Sequence, residues 1–306
     1  MGVGEKMKNF SFFYALKSAP ILIRSRIELI FIWTWVTAVT CLIAGGGFPP
    51  IKPTLMSILA MFFISASVYL YNDISDIDMD SLNPTKKNRP LISETISVKD
   101  TMNIIYLFGL IGITISFLIN VYSFIFSFIF LFLFTIYSYP KIRTKTKYLG
   151  KDLTIFSGWF LCGLVSSYAI VGTWYIPVLV TTLIFAVWCL LALPILNDAG
   201  DIVEDRLHGV KNISVLFSWD RKIQLLLLGF LFVIVITPLT YVTLRFNMIL
   251  PIFTVALSII FLRLIYPKIV NFQMSEYPQL RKLGYIYFTL LEIIFIFGSI
   301  NLNIFS

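Results

Sequence analysis

Six aspartates, arranged in two copies of one pattern, are the residues of this sequence whose types and spacing could do chemistry. The copies read Asn72-Asp73-Ile-Ser-Asp76-Ile-Asp78-Met-Asp80 and Asn197-Asp198-Ala-Gly-Asp201-Ile-Val-Glu204-Asp205. A helix turns by about 100° per residue, so the three repeated aspartates of each copy would lie within an arc of roughly 60°. Each copy therefore predicts a stripe of carboxylates on one helix face.

Carboxylates at this spacing repel one another unless a cation lies among them. Mg²⁺ is the cation that this donor set favours, because it binds a few carboxylate oxygens and fills its other positions with water and phosphates. The predicted metal ligands are Asp73, Asp76, Asp80, Asp198, Asp201 and Asp205. Two such stripes indicate a site that holds a diphosphate through more than one metal ion.

Two further acidic residues lie off the stripes and test the geometry. Asp78 is about 140° and Glu204 about 120° away from its stripe on a helical wheel. We expect both to face solvent or to pair with Lys and Arg. The alternative for the whole pattern is solvation at the membrane interface, but the same spacing occurs twice, and carboxylates near hydrocarbon are costly.

Basic residues follow the first motif and the fourth predicted helix at short range. Lys86 and Arg89 come just after the first motif, and Lys141 follows Tyr137-Ser-Tyr139-Pro. A diphosphate held by Mg²⁺ keeps oxygens free for Lys and for the bidentate Arg guanidinium. For Lys141 and Arg89 the alternative is that they only set membrane topology. That alternative is what we expect of three later cations, Lys145, Lys147 and Lys151.

The elements that must position these groups are membrane helices. The chain has 306 residues, is 58% hydrophobic and has a mean hydropathy of +0.88, which is too apolar for a soluble domain. Apolar runs of about 20 residues predict an all-α polytopic protein with nine transmembrane helices. The predicted spans are 28–45, 54–75, 101–119, 122–139, 151–171, 175–196, 223–242, 247–266 and 283–303.

The distribution of positive charge predicts the orientation. With nine spans, 22 of the 24 Lys and Arg residues fall on one side of the bilayer, and only Lys52 and Arg245 fall on the other. By the positive-inside rule the first side is cytoplasmic, so the N-terminus and the active site should face the cytoplasm and the C-terminus the opposite side. Residues 8–26 predict an interfacial helix rather than a cleavable signal, because Arg24 and Arg26 interrupt the apolar stretch.

The two motifs also indicate an internal repeat. Asn72 and Asn197 lie 125 residues apart, and each motif closes the second helix of a four-helix set. We expect one membrane domain over 1–306, with an N-terminal segment 1–26, a first repeat 27–140, a second repeat 141–266 and a ninth helix within 267–306. Because both motif helices end on the same side, the stripes should face one another across a central cavity.

Several function classes are excluded. Cys41, Cys162 and Cys189 are isolated within predicted spans and are expected to be apolar fillers, and the single histidine, His208, cannot form paired-imidazole sites. The sequence lacks Walker, H-E-x-x-H and G-x-G-x-x-G motifs, which argues against nucleotide hydrolysis and zinc proteolysis. The net charge of +8 follows the loops of one side, so we infer no nucleic acid partner, and nothing indicates an obligate protein partner.

With these residues in place, the sequence resembles the UbiA superfamily of intramembrane prenyltransferases. Asn72 through Asp80, followed by Asn88-Arg89-Pro90-Leu91, is similar to the family's first aspartate-rich motif. Asp198 through Asp205, followed by Gly209-Val-Lys211, is similar to its second motif, and Tyr137-Ser-Tyr139-Pro-Lys141 lies where the family has a tyrosine and a diphosphate-binding lysine. Asn212-Ile-Ser214 replaces the usual T-L-P, and Arg24-Ser-Arg26-Ile-Glu28 replaces the usual R-x-x-K-P-x-G.

The resemblance implies Mg²⁺-dependent transfer of an isoprenyl group from an allylic isoprenyl diphosphate to a small aromatic or lipid-type acceptor, with release of diphosphate. It implies catalytic roles for Asp73, Asp76, Asp198 and Lys141. It implies that substrate is bound by Asn72, Lys86, Arg89, Tyr137, Tyr139, Lys141 and Asn197. Ionisation would leave an allylic cation that a dry pocket protects and that aromatic faces such as Tyr71, Tyr137 and Tyr139 stabilise.

Three alternatives remain open at the level of sequence. Some members of the superfamily cyclise the cation to a terpene with the same ligands. CDP-alcohol phosphotransferases also use aspartates at helix ends, but their D-G-x-x-A-R segment is missing here. A cation transporter would usually place its carboxylates near the bilayer midplane rather than at helix ends. The acceptor, aromatic or lipid-type, and the prenyl length are not fixed by the sequence.

Overall fold

The computed structural model describes residues 12–83, 86–244 and 246–301. Lys6, Lys8 and Arg245, which entered the charge analysis, lie outside the described residues, as does the end of the ninth predicted span. The described part of the chain is almost entirely helical. In chain order its helices are α1 (Phe12–Ala44), α2 (Ile51–Ser75), α3 (Ile77–Asp80), α4 (Val98–Ile119), α5 (Val121–Ser138), α6 (Gly150–Ile170), α7 (Ile176–Leu196), α8 (Ile202–Leu207), α9 (Ile213–Leu216), α10 (Trp219–Leu244), α11 (Ile249–Val270) and α12 (Tyr277–Ser299).

Eight of these helices are long and apolar enough to cross a membrane, which confirms a polytopic all-α architecture. The ninth predicted span corresponds to α12, which is 23 residues long but carries Arg281, Lys282 and Glu292. It is not among the eight, so the exact number of nine crossings stays a prediction. The same is true of the four-helix repeat and of which side of the bilayer each end occupies.

The first helix begins earlier than the sequence predicts. The expected span started at residue 28 after a separate interfacial segment, whereas α1 is continuous from Phe12 and its apolar span covers Lys17–Ala44. Pro20 lies inside this helix. Arg26 is therefore part of a membrane helix, and its long side chain can extend toward the end of α2.

Both aspartate motifs lie across helix breaks, which corrects the prediction of carboxylate stripes on continuous helices. Helix α2 ends at Ser75, Asp76 takes φ −111° and ψ 6°, and α3 starts at Ile77. Aspartate competes with helical hydrogen bonds, so it suits such a break. Helix α7 ends at Leu196 after Pro194, whose missing N–H weakens the last turn. The following turn leads to Asp201, which begins α8.

The core between the helices is aliphatic and aromatic, and the outward faces are apolar as well. Trp188, Phe185 and Phe230 are almost completely buried among α7, α10 and α12. Large apolar side chains on α4 and α5, such as Tyr106 and Phe132, are more than half exposed. A helix that is apolar all round fits a lipid environment, so these outward faces contact the bilayer.

Candidate active site

The two motifs meet at one cavity at the end of the helix bundle. Chain direction brings the ends of α2 and α7 and the start of α6 to this end. The cavity has a volume of about 220 Å³. Its lining residues are all polar or charged: Arg26, Asn72, Asp76, Asp80, Lys86, Arg89, Asp201, Glu204 and Asp205. Four of the six predicted metal ligands thus share this wall, while Asp73 and Asp198 are buried beside it.

Two aspartates of the first motif are held by guanidinium and ammonium groups. Arg26 Nε donates to Asp73 Oδ2 at 2.8 Å, and a second nitrogen of the same guanidinium pairs with Oδ1. Lys86 Nζ lies 2.8 Å from Asp80 Oδ1, and Arg89 pairs with the other oxygen of Asp80. Arg89 also lies 3.8 Å from Asp73, so it connects the two carboxylates.

Asp76 is held by the loop that connects α5 with α6. Arg143 donates to its Oδ1 at 2.8 Å, and Lys145 pairs with its Oδ2. Arg143 has a positive φ of 45° and Leu149 one of 54°, and such left-handed positions in residues other than glycine carry strain. Burial lowers the pKa of Lys145, and the charge of Asp76 opposes this only in part. The loop backbone is therefore bent at two points around the cations that it presents to Asp76.

In the second motif, one lysine side chain lies close to two of the aspartates. Lys151, in the first turn of α6, lies 3.1 Å from Asp205 Oδ2 and 3.4 Å from Asp198 Oδ2. Asn212 Nδ2 also donates to Asp205, at 2.9 Å. The loop that carries Asn212 is fixed to the α6 side, because Leu149 N–H donates to the carbonyl of Lys211 at 2.8 Å. One ammonium group therefore neutralises two carboxylates.

Asp201 is the most solvent-accessible of the six aspartates. Among the ion pairs of the described residues, no Lys or Arg nitrogen lies within 4.0 Å of its carboxylate. Partial burial raises the pKa of Asp201, Lys151 opposes this rise, and the charges of Asp198 and Asp205 add to it. This carboxylate lies on the cavity wall and has unused capacity for a cation.

The two acidic residues outside the stripes behave as the helical geometry predicts. Asp78 is exposed, and Glu204 pairs with Lys86 and accepts from Asn83 Nδ2 at 2.8 Å. Burial lowers the pKa of Lys86, but its hydrogen bonds to Asp80 and Glu204 outweigh burial, so the pKa is raised overall. Lys86 therefore links the first motif to the second across the cavity.

Some predicted substrate residues are near the cluster and some are not. Asn72 lines the cavity and accepts from Ser138 Oγ at 2.6 Å, and the Tyr137 ring lies 5.7 Å from Lys145 Nζ. Lys141 and Tyr139 are exposed in the loop, and neither lines the cavity. Arg143 and Lys145 are the cations of this loop that contact a motif carboxylate, which corrects the expected position of Lys141. The expectation that Lys145 and Lys151 serve topology alone is also wrong.

Asn197 does not mirror Asn72. Its Oδ1 accepts from Arg281 Nε at 3.1 Å and from the Tyr285 hydroxyl at 2.9 Å, and its carbonyl accepts from the Tyr277 hydroxyl. These partners all belong to α12. Asn197 thus fixes the second motif to the last helix, rather than lining the cavity.

Sequence reasoning missed four of the six cations of the site, namely Arg26, Arg143, Lys145 and Lys151. One signal could have found Arg26 and Lys151. Arg26 lies within an apolar helix and Lys151 at the start of one, where a cation is costly unless a carboxylate neutralises it. For Arg143 and Lys145 the sequence offers only proximity to Tyr137, because the loop geometry decides which side chains turn inward.

The charges of the site almost balance. Six aspartates and Glu204 face Arg26, Lys86, Arg89, Arg143, Lys145 and Lys151. Among the described residues, no three Asp, Glu, His or Cys side chains converge closely enough to hold a metal ion as they stand. Most carboxylates instead face Lys or Arg. Since these seven acidic and six basic groups leave no net positive charge, the cluster needs additional cations to hold a multiply charged anion.

Comparison with known proteins identifies the family. The UbiA prenyltransferase family matches residues 32–282, which include both motifs and all of the cations except Arg26. This chain belongs to the UbiA prenyltransferase family. The UbiA assignment agrees with the resemblance that the motifs indicate.

Two curated relatives show the range of UbiA proteins that this chain resembles. It is 30% identical to digeranylgeranylglyceryl phosphate synthase of Sulfurisphaera tokodaii over 54% of this chain and 58% of that protein. It is 27% identical to 4-hydroxybenzoate octaprenyltransferase of Shewanella baltica over 62% of this chain and 65% of that protein. Each alignment thus spans less than two thirds of the relative.

Solved structures of UbiA proteins share the fold over nearly the whole chain. A structure described as digeranylgeranylglyceryl phosphate synthase in membranes matches with a TM-score of 0.72 and 20% identity, and the match covers 94% of this chain and 99% of that one. A UbiA homolog from Archaeoglobus fulgidus bound to GPP and Mg²⁺ matches with a TM-score of 0.66 and 17% identity, over 90% and 99% of the two chains. At these identities the likeness shows the fold alone.

Proposed function

We propose that this protein transfers an isoprenyl group from an allylic isoprenyl diphosphate to an acceptor and releases diphosphate. The observation that carries the proposal is the convergence of both aspartate motifs on one polar cavity at the end of an apolar helix bundle. Three Lys and Arg side chains line this cavity, and three more pair with the motif aspartates around it. This arrangement suits a substrate with a diphosphate head and an apolar tail. Relatives whose names denote prenyl transfer support the same reaction.

Mg²⁺ fits the chemistry of the donor set. Asp76, Asp80, Asp201 and Asp205 present carboxylate oxygens to one space, and such oxygens are ligands that Mg²⁺ prefers. No Lys or Arg of the described ranges lies within ion-pair distance of Asp201, which leaves this carboxylate open to a cation. When bound, Mg²⁺ would supply positive charge that stabilises the leaving diphosphate. The UbiA homolog that holds both GPP and Mg²⁺ supports this proposal.

The cations of the first motif would bind the diphosphate. Arg89 and Lys86 lie on the cavity wall and pair with Asp80, and Arg26 lies on the same wall. When a carboxylate turns to a metal ion, its Lys or Arg partner becomes free to donate to phosphate oxygens. Arg143 and Lys145, which hold Asp76, extend this set of donors on the α5–α6 side. The Lys and Arg side chains that neutralise the aspartates would thus also bind the departing diphosphate.

The apolar bundle below the cavity would protect the allylic cation. Ionisation of the C–O bond leaves the electron pair on the diphosphate and a positive charge on the isoprenyl chain, and water would capture that charge. Trp33, Phe134 and Trp159 are at most 7% exposed, and a cation that lay among such buried aromatic side chains would be kept from water. An acceptor then forms the new bond with the cation and loses a proton.

The experiment is an assay of diphosphate release with the purified full chain. Geranylgeranyl diphosphate and Mg²⁺ are supplied with geranylgeranylglyceryl phosphate, with 4-hydroxybenzoate or with no acceptor, and products are identified by mass. The proposal predicts Mg²⁺-dependent diphosphate release together with a prenylated acceptor. A hydrocarbon product without acceptor would indicate a terpene cyclase. No diphosphate release under any condition would contradict the proposal and favour a non-enzymatic role such as cation transport.

A further inference from the structure

The polar cavity does not by itself show where the isoprenyl tail of the substrate would lie. Every residue on its wall is polar or charged, so the wall offers no apolar surface to a tail. If the proposed function holds, the diphosphate lies in this cavity and the tail must extend between the helices below it. The side chains directly beneath the cavity therefore decide how far a tail can reach.

Trp33 and Tyr69 occupy that position. Tyr69 precedes Asp73 by four residues on α2, which corresponds to roughly 6 Å along the helix. Trp33 follows Arg26 by seven residues on α1, roughly 10 Å along that helix. Trp33 Nε1 donates to the Tyr69 hydroxyl at 2.8 Å, so the pair joins α1 to α2 beneath the Arg26–Asp73 ion pair.

The indole of Trp33 fills the space where four helices meet. Its ring centre lies 5.3 Å from Phe130 and 5.2 Å from Phe134 of α5, both edge-on, and 5.9 Å from Trp159 of α6. Only 2% of Trp33 is exposed. With its hydrogen bond to Tyr69 and aromatic neighbours on α5 and α6, the indole is fixed in orientation.

Gly158 on α6 shows how closely the indole fills this space. A Cβ atom at position 158 would lie 2.5 Å from Cη2 of Trp33 and 2.9 Å from Cζ of Phe134. Carbon atoms do not approach so closely, so only glycine leaves room for the indole here. Beside Gly158 the indole therefore leaves no spare volume for another chain.

We infer that Trp33 limits the length of the isoprenyl tail that the protein accepts. A short tail ends above the indole, whereas a longer one must displace it or leave the bundle toward lipid, and either alternative costs binding energy. An indole is larger than one isoprene unit, so its removal opens space for further units. The inference rests on the proposed function, because it concerns the tail of the same diphosphate substrate.

The test compares kcat/KM for geranyl, farnesyl and geranylgeranyl diphosphate in the wild type, Trp33→Ala and Phe31→Ala. Phe31 is the matched control, because it is an aromatic residue on the same helix but is 55% exposed. For Trp33→Ala we expect the ratio of geranylgeranyl to geranyl turnover to rise roughly tenfold or more, as fit in an apolar pocket commonly changes discrimination by this factor. For Phe31→Ala the ratio should stay within about twofold of the wild type, as for a change outside the pocket. An unchanged ratio in folded Trp33→Ala would overturn the inference.

A second variant tests the same idea in the opposite direction. Gly158→Ala adds a methyl group that crowds the indole and Phe134, so less space remains for a long tail. The ratio of geranylgeranyl to geranyl turnover should therefore fall below that of the wild type. Thermal unfolding reports whether each variant folds, and Trp33→Leu, which retains an apolar side chain, replaces Trp33→Ala if that variant does not. A wild-type protein that releases diphosphate from none of the three substrates would overturn the proposed function itself. An active wild type with unchanged ratios in every folded variant would overturn only the role of Trp33.

Discussion

The two aspartate motifs have similar sequences but differ in how their charges are neutralised. In the first motif Asp73, Asp76 and Asp80 each contact two Lys or Arg side chains. These cations come from α1, from the loop after the motif and from the α5–α6 loop. In the second motif Asp198 and Asp205 share Lys151, and Asp201 lies outside ion-pair distance of the described Lys and Arg residues. The first motif thus has donors for an anion, whereas the second has spare negative charge for a cation. Duplicated motifs in one protein can divide the binding of head group and metal between them.

The largest expected effect is the loss of one cavity carboxylate from either motif. Asp76→Asn and Asp201→Asn should each lower kcat/KM for diphosphate release by roughly 100-fold or more, because charge stabilisation of the leaving group depends on both walls. The measurement is steady-state release from geranylgeranyl diphosphate at saturating Mg²⁺. Asp78→Asn is the matched control, since this exposed residue belongs to the same motif, and it should stay near wild type. A loss in Asp78→Asn as large as that in Asp76→Asn would contradict the assignment.

The motifs should differ most clearly in their need for Mg²⁺. Asp201→Asn should raise the Mg²⁺ concentration for half-maximal activity by roughly tenfold or more, as for loss of a metal-site group. Asp80→Asn should raise it less, because Lys86 and Arg89 already neutralise that carboxylate. A Mg²⁺ titration of diphosphate release with both variants decides the matter. Equal shifts would show that the uneven distribution of cations has no functional meaning.

Lys151 provides a test of stability. Lys151→Gln leaves Asp198 and Asp205 without their cation, and an uncompensated buried charge is strongly destabilising. We expect the unfolding temperature of the purified protein to fall by several degrees and Mg²⁺ to restore part of it, since the metal replaces the missing charge. Lys147→Gln is a suitable control, because Lys147 is exposed in the adjacent loop. Full stability of Lys151→Gln in a metal chelator would argue against this role.

The smallest expected effect is a difference in activity between variants of two basic residues in the α5–α6 loop. Arg143→Ala removes a contact of 2.8 Å to Asp76 and should lower kcat/KM roughly tenfold, in line with the strength of a charged hydrogen bond. Lys141→Ala should change it by no more than about threefold, as is typical of exposed charges. Both variants are assayed side by side for diphosphate release. If Lys141→Ala lowered kcat/KM more than Arg143→Ala, Lys141 would have the substrate-binding role that the sequence predicts.

The membrane helices and the meeting of the motifs could be predicted because their causes are local. Hydropathy locates eight of the spans, and alternation of direction places the ends of α2 and α7 on the same side. The prediction that Glu204 faces solvent or pairs with Lys or Arg also held, since it contacts Lys86. Chemistry near a helix end is visible in sequence when the residues that perform it are close together in the chain.

What the sequence did not reveal depends on contacts between distant residues. Arg26 lies 47 positions from Asp73, and Lys151 lies 54 positions from Asp205. At the helix break, the carboxylate of Asp76 meets Arg143 and Lys145, which lie 67 and 69 positions away in the sequence. Such pairings follow from how helices and loops pack together, and a single sequence carries little trace of them.

A double-mutant cycle on Asp76 and Asp201 tests the central claim most directly, that the two motifs act as one site on a diphosphate. Mg²⁺-dependent diphosphate release is measured for the wild type, Asp76→Asn, Asp201→Asn and the double variant, all verified as folded. Groups that act as a unit are strongly non-additive, so the double variant should be little worse than either single one. Losses that simply multiply, or near-normal release in either single variant, would contradict a shared site.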